Sequence, residues 1–347
     1  MNNFSYSNEV FNYLRTGSDM MGQLIKLQDY ISRYEQDVYH YPNQFVRLKK
    51  QQWNKLQASF LSGEMSEYFT KEDDPEWPEV ESGFFYKMKN LLKRKQKQED
   101  NEEIHDQPQT QHFDEIQLKV PTMPRNIDEL KRSFLNQVFL FQMKWATSTI
   151  RERSIVDRSY YLDEKIKFLL QRFPDTFLVL YQPIFKLKNA PVEADIIMIT
   201  PTATWCICFL EDEENAVYVG SNEKFWVKKH YQKTEKKILN PTISLNRTEM
   251  IVKKIYQASN VDHPIKKAII SRVGYIDFPT ASHDLYLLDK RHFPEWFQSM
   301  RKLSSPLKSQ QLKGADTLLQ YCQTTSTMRL EWNDYIELDD DTKQENE

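Results

Sequence analysis

Glycine is scarce in this sequence: there are only seven in 347 residues, and no two stand closer than five positions apart. A dinucleotide-binding fingerprint needs three glycines within six residues, because only glycine lets the backbone approach a pyrophosphate. A Walker loop, GxxxxGK followed by Ser or Thr, is also missing. We therefore expect no nucleotide cofactor and no nucleotide-driven motor.

Cysteine is equally scarce. Cys206, Cys208 and Cys322 are odd in number, so reduced thiols in the core are expected rather than a disulfide framework. The sequence also lacks HExxH, CxxC, an EF-hand loop and a GxSxG elbow. These absences exclude the easily recognised metal sites and hydrolases.

Long apolar runs and an excess of one charge are absent too. No run approaches the 18 or so residues that span a bilayer, and the start MNNFSYSNEV lacks the basic and apolar regions of a secretory signal. The 47 basic and 50 acidic residues leave a net charge of −3, so any binding to nucleic acid must be local. We expect a cytoplasmic protein.

Composition divides the chain into four predicted parts. A helical N-terminal region covers residues 1–97, an acidic and disordered linker covers 98–125, an α/β domain covers 126–330, and an acidic tail covers 331–347. Helical spacing of apolar residues predicts one helix from Ser18 to about Tyr34 and another after Pro42 that ends near Gly63. We expect these two helices to pair as a helical hairpin.

The segment 84–97 is a predicted basic amphipathic helix without an acidic residue. Clustered cations beside an apolar face are suited to an anionic membrane surface or to nucleic-acid phosphates. The alternative is a helix that packs on the protein's own core with its lysines in solvent. The candidate binding residues in this segment are Lys87, Lys89, Lys93, Arg94, Lys95 and Lys97.

From residue 126 onward the pattern predicts α-β-β-β-α-β. Asn126 caps a long helix, and a second helix covers 161–172. Period-two and apolar runs then predict strands, a helix from about Leu245 and further strands. The predicted strands cover 177–185, 195–200, 204–210, 267–276 and 285–288. The expected fold is α/β, with a small mixed central sheet flanked by helices.

Within this region the run EADIIMITP at 193–201, the strand 205–210, Trp226 and Asn240-Pro241 before a helix resemble the nuclease-related domain (NERD) family of bacterial proteins. The resemblance covers roughly residues 155–290. It implies a restriction-endonuclease-like fold of the PD-(D/E)XK class. We expect Trp226 to pack in a sheet rather than to stack on a base.

In active members of that fold, a helix Glu, an Asp on the second strand, and an acidic residue and a Lys on the third strand hold Mg²⁺ and activate water. The resemblance matches Asp195 to the second-strand Asp and Asp163 or Glu164 to the helix acid. It places Cys208 where the third-strand acid belongs and Leu210 where the Lys belongs. Two of the expected groups are therefore replaced.

We therefore predict a non-catalytic, pseudo-nuclease module that binds nucleic acid or a protein partner and needs no cofactor. The first alternative is a divergent Mg²⁺-dependent nuclease with Asp195 as a metal ligand and catalytic residue. Asp163 or Glu164 would be the second catalytic acid, and the third acid would be relocated. Glu211 points to the other face of a regular strand, and a relocated cation would come from Lys233, Lys236 or Lys237. The second alternative is a peripheral membrane protein bound through residues 84–97.

Overall fold

The computed structural model describes residues 20–65, 68, 123–188, 190–303 and 305–328. The predicted basic segment 84–97, most of the linker and the acidic tail lie outside the described residues. The binding predictions for Lys87 to Lys97 and the membrane alternative therefore remain predictions.

The described chain is a mixed α/β structure. Its helices are α1 (Tyr41–Ser62), α2 (Ile127–Trp145), α3 (Ser159–Leu162), α4 (Glu164–Arg172), α5 (Pro241–Ala258), α6 (Phe293–Arg301) and α7 (Ser309–Tyr321). Its strands are β1 (Gln23–Leu27), β2 (Glu152–Arg153), β3 (Leu178–Tyr181), β4 (Ile184–Lys186), β5 (Pro191–Glu193), β6 (Ile196–Ile199), β7 (Thr204–Phe209), β8 (Val217–Val219), β9 (Phe225–His230), β10 (Lys233–Leu239), β11 (Ile265–Ile270), β12 (Tyr275–Asp277), β13 (Leu285–Leu288) and β14 (Thr327–Met328).

The large sheet has six strands in the order β1-β3-β6-β7-β11-β13. β1 pairs parallel with β3, and β7, β11 and β13 are parallel to one another. β6 is antiparallel to both of its neighbours. The predicted succession α-β-β-β-α-β corresponds to α4, β3, β6, β7, α5 and β11, and the expected mixed sheet with helices is confirmed.

The helix predicted from Ser18 to Tyr34 is wrong. Residues 23–27 form β1, whose five side chains are all buried, and a 3₁₀ turn covers Arg33–Glu35. The buried Gln142 of α2 accepts the Leu24 N–H at 2.8 Å, and this bond holds the strand against the helix. A strand buried on both faces shows no polar alternation, so its apolar spacing was compatible with a helix.

The second predicted helix is confirmed as α1. It ends at Gly63, whose φ of 79° is the left-handed conformation that favours glycine at a helix C-terminus. Its partner is α2 rather than a preceding helix: the rings of Trp53 and Phe134 lie 5.2 Å apart. The expected helical hairpin within the N-terminal region is therefore wrong.

The helix predicted over 161–172 is divided. Asp163 has an extended ψ of 109°, and α3 ends at this residue. Asp163 also caps α4, because its carboxylate accepts hydrogen bonds from the backbone N–H groups of Lys165 and Ile166. The hairpin predicted around residues 201–203 is confirmed as β6 and β7. The helix expected from Leu245 begins four residues earlier, at Pro241, with Asn240 as its cap.

A second, smaller sheet contains four strands in the order β10-β9-β8-β12. Trp226 is fully buried in it and meets Phe278 at a ring distance of 5.0 Å, so the predicted packing role of Trp226 is confirmed. One cluster of buried apolar side chains runs from β1 and α1 through the large sheet to α7. Within the described residues, no helix is both long and apolar enough to cross a membrane.

Candidate functional site

The candidate site lies at one edge of the large sheet, which we call the carboxyl edge. β3, β7, β11 and β13 end there, and the antiparallel β6 begins there. In open α/β sheets, ligands commonly bind beyond the carboxyl ends of the strands. The polar residues at this edge are therefore the first candidates for function.

Asp195 directly precedes β6 at this edge. Its N–H donates to the hydroxyl of Thr248 on α5 at 2.9 Å, and that hydroxyl donates to the Asp195 carboxylate at 3.4 Å. Burial raises the pKa of Asp195, while hydrogen bonds from Ser244 and Thr248 and the positive charge of Arg247 oppose the shift. The carboxylate is thus held by one face of α5.

The neighbouring strand β7 places a thiol beside Asp195. Ile196 pairs with Ile207, so the register continued by one residue places Cys208 opposite Asp195. Burial and the Asp195 carboxylate raise the pKa of Cys208 to about 12, although the positive charge of Lys165 lowers it. The raised pKa favours the neutral thiol, and this position therefore lacks the second carboxylate that would help to hold Mg²⁺.

The two candidate helix acids have other partners. Asp163 caps α4 with its Oδ1. Its other carboxylate oxygen, Oδ2, accepts a 2.6 Å hydrogen bond from the Tyr181 hydroxyl. The side chain of Glu164 is 80% exposed and lies 3.4 Å from Lys167. In the part of the chain that the structure describes, neither acid has a hydrogen bond to Asp195.

Glu211 also has a different partner. Its carboxylate receives two 2.6 Å hydrogen bonds from the guanidinium of Arg272, which follows β11. The guanidinium carbon lies 4.1 Å from the centre of the Phe168 ring, on the α4 side. Glu211 therefore belongs to an ion pair at the carboxyl edge rather than to the Asp195 site.

The cations near Asp195 are not those considered from the sequence. Lys233 lies on β10 and is paired with Glu213 at 2.7 Å, and Lys236 and Lys237 are exposed on the same strand. Lys165, in the first turn of α4, and Arg247, on α5, are the residues whose charges act on Cys208 and Asp195. In the sequence, Lys165 and Arg247 are each only a basic residue within a predicted helix, so neither was identified as a site residue.

This donor set does not fit Mg²⁺, which prefers several carboxylate or carbonyl oxygens. Asp195 supplies one carboxylate, and Cys208 opposite it offers sulfur, which Mg²⁺ does not favour. No group of three or more His, Cys, Asp or Glu residues able to hold a metal ion is present in the described ranges. The site holds the partly buried Asp195 beside a thiol, two hydroxyls and two cations, and the charge of the exposed Glu193 also acts on Asp195.

A second polar cluster follows β13 at the same edge. Asp289 is buried, and its carboxylate accepts from the Arg291 guanidinium and lies 2.9 Å from Nδ1 of His292. Burial raises the Asp289 pKa, but hydrogen bonds from Arg291, from the Ile276 N–H and from His292 outweigh it and lower the pKa to about 2. The imidazole of His292 is thus oriented by a carboxylate and is 64% exposed.

Comparison with known proteins gives one local similarity. No family model matches the chain, and no solved structure gives a significant match. An RNA 2′,3′-cyclic phosphodiesterase from Geobacillus stearothermophilus is 33% identical over 132 residues. The matched region is 37% of this chain and 38% of that protein, so this chain is similar to it over well under half of either length.

Proposed function

We propose that this protein is a non-catalytic, nuclease-related module that binds nucleic acid. One observation carries the proposal: the position opposite Asp195 is occupied by the neutral thiol of Cys208 instead of a second carboxylate. A metal-dependent nuclease needs at least two oxygen ligands to hold the ion that activates water. Asp195 alone does not meet that requirement.

The order of the elements supports a nuclease-related origin. α4, β3, β6, β7, α5 and β11 occur in the order that the resemblance to the NERD family implies, with Asp195 directly before the second of these strands. β4 and β5 are inserted after β3, and β8, β9 and β10 are inserted after β7. We infer a restriction-endonuclease-like core whose catalytic groups at Cys208 and Leu210 have been replaced.

Nucleic acid is favoured over a protein partner by charge and by similarity. Lys165 and Arg247 place positive charge beside a site that holds one acid, and phosphate groups complement such charge. The similar protein from Geobacillus stearothermophilus is named for action on RNA. The net charge of −3 requires that the attraction be local.

Two assays on the full chain test this proposal. Fluorescence anisotropy with labelled single-stranded RNA, single-stranded DNA and duplexes measures binding, and we expect a salt-dependent affinity for at least one of them. Incubation of the same substrates with Mg²⁺ or Mn²⁺ measures cleavage, and we expect none. Cleavage that disappears in Asp195→Ala would overturn the non-catalytic assignment and favour the divergent nuclease.

A second candidate is hydrolysis of RNA 2′,3′-cyclic phosphate ends, which the similarity to the named phosphodiesterase favours. Opening a cyclic phosphodiester requires general acid and base groups. His292, oriented by Asp289 at 2.9 Å and beside Arg291, is the described residue best suited to act as the base.

The test uses an oligonucleotide with a 2′,3′-cyclic phosphate, with EDTA or with Mg²⁺. Conversion to a monophosphate by wild type, and its loss in His292→Ala with the fold retained, would support this candidate. No conversion in either buffer would leave the binding function as the proposal.

A further inference from the structure

The two faces of the small sheet differ in their exposure to solvent. Tyr218, Trp226 and Ile276 point to the inner face and are buried. Side chains alternate along a strand, so the residues between them point to the outer face. There Phe225 is 46% exposed and Leu239 is 56% exposed. The outer face therefore exposes apolar side chains to solvent, with charged residues between them.

The strand register places the outer residues in rows. Phe225 lies opposite Leu239, and Val227 lies between Lys237 and Val219. On the far side, Tyr275 of β12 pairs with Val217, which pairs with Lys229 of β9. Phe225 and Tyr275 are two strands apart, at about 4.8 Å per strand, and four residues apart along the strand direction, at about 3.3 Å per residue. Their separation is therefore roughly 16 Å.

Each of the two aromatic rings has a cation above it. The ammonium of Lys224 lies 5.6 Å from the centre of the Phe225 ring, and the guanidinium of Arg291 lies 5.7 Å from that of Tyr275. An aromatic ring can stack on a base while the adjacent cation contacts the phosphate.

The charge of the β9–β10 hairpin favours a polyanion. Residues 224–240 hold six lysines and one glutamate. Lys236 lies directly opposite Lys228, and like charges in that position destabilise a sheet. Lys228 is balanced by Asp212 and Glu213.

Lys228 and Lys236 lie on the same side of their strands as Trp226, and the charges on the outer side are mixed. Lys229 is balanced by Glu235 at 3.0 Å, and Asp277 adds one exposed acid. Among the contacts of the described chain, Lys224 and Lys237 have no ion pair. These two lysines are therefore the cations that a bound phosphate would neutralise.

We propose that the outer face of the small sheet binds single-stranded RNA, with Phe225 and Tyr275 stacking on bases and Lys224 and Lys237 contacting phosphates. This proposal rests on the proposed nucleic-acid binding and assigns it a surface. A single strand fits better than a duplex, because its bases are free to stack on side chains. The alternative is that the lysines of the edge strand β10 only prevent it from pairing with another chain. That alternative does not explain why Phe225, on the neighbouring strand β9, is exposed beside Lys224.

Anisotropy with a fluorescein-labelled 20-nucleotide single-stranded RNA tests the surface in the full chain. We expect Lys224→Glu/Lys237→Glu to weaken binding at least tenfold at low salt. The slope of log affinity against log salt should fall by about 1.4, which corresponds to two phosphate contacts. Lys50→Glu/Lys55→Glu changes two exposed lysines of α1 by the same charge and should leave affinity and slope unchanged.

Stacking is tested separately. Phe225→Ala should weaken binding about five- to 150-fold, the range for loss of one stacked base. Phe225→Trp should retain binding, because it keeps an aromatic surface. Circular dichroism and the melting temperature show whether each variant is folded. This control is needed because about half of the Phe225 side chain is covered by other residues, and its removal could destabilise the sheet.

The outcomes separate the surface from the function. Wild-type binding that is unchanged by both the charge and the ring variants would overturn this surface and leave the proposed function in place. Absence of wild-type binding to this RNA would overturn the surface, and absence of binding to the DNA and duplex substrates as well would overturn the proposed function too. A dimer that becomes a monomer in Lys224→Glu/Lys237→Glu, measured by light scattering, with RNA affinity unchanged, would show an interface between two copies and overturn the proposal.

Discussion

Cys208 lies opposite Asp195 on the neighbouring antiparallel strand, where desolvation and the Asp195 charge raise the pKa of its thiol to about 12. The pair holds one acid where two carboxylates on adjacent strands could share a metal ion. A single substitution therefore tests how close this edge is to a metal site.

Cys208→Asp places a second carboxylate beside Asp195. Without metal, the variant should be less stable than wild type, because two like charges at partly buried, opposite positions repel. Mn²⁺ at 100 times its dissociation constant should restore about 2.7 kcal/mol and raise the melting temperature by several degrees. Cys208→Ser is the matched control and should not respond to Mn²⁺. Equal responses of both variants would contradict the geometry inferred from the register.

Thr248 supplies the hydroxyl that both accepts from the Asp195 N–H and donates to its carboxylate. Thr248→Val has the same shape without the hydroxyl and should cost about 1–3 kcal/mol, because buried polar groups of Asp195 lose their partner. Urea unfolding measures the difference. Thr248→Ser retains the hydroxyl and should be the more stable of the two variants; the reverse order would show that the methyl group matters more than the hydrogen bonds.

The helices α2, α4 and α5 and the strands β3, β6, β7, β11 and β13 could be predicted from the sequence, because their caps and apolar periods are local. The helices α6 and α7 were not predicted, and the strand predicted over 267–276 is divided between β11 and β12, which belong to different sheets. β1 could not be predicted from the sequence. Its buried polar residues are satisfied by distant partners: Gln23 donates to the Asp175 carbonyl at 2.7 Å, and Lys26 donates to Thr324 at 2.9 Å. A pattern along five residues does not contain those contacts.

The candidate site was predictable in part. The position of Asp195 before a strand and that of Cys208 on the following strand are local features. Lys165 and Arg247 were missed, because their proximity to Cys208 and Asp195 depends on how α4 and α5 pack at the end of the sheet. Glu211 found a partner, Arg272, that lies 61 residues away.

Asp289 should make stability depend on pH in the acid range. Its pKa in the folded protein is about 2, below the ordinary value of 3.8, so the charged form favours folding. This contribution is fully present above the unfolded pKa and is lost as the pH falls from about 4 to about 2. At pH 7, Asp289→Asn should be less stable by about 2 kcal/mol, since each pKa unit corresponds to 1.36 kcal/mol.

Denaturant unfolding of wild type and Asp289→Asn between pH 2 and pH 7 measures this dependence. The two curves should converge toward pH 2. A constant difference across the range would mean that the variant loses packing or backbone contacts rather than the charge.

The pair of Glu211 and Arg272 should stabilise the carboxyl edge only while both members are present. Their side chains are 7% and 13% exposed, and Arg272 also lies against the Phe168 ring. Arg272→Met leaves a buried carboxylate without its partner and should cost about 3–5 kcal/mol in urea unfolding. Glu211→Met/Arg272→Met removes both charges and should recover much of that loss. Lys167→Met, in the exposed pair with Glu164, should cost less than about 1 kcal/mol. A cost for Arg272→Met as small as that control would show that Glu211 finds water or another donor when Arg272 is removed.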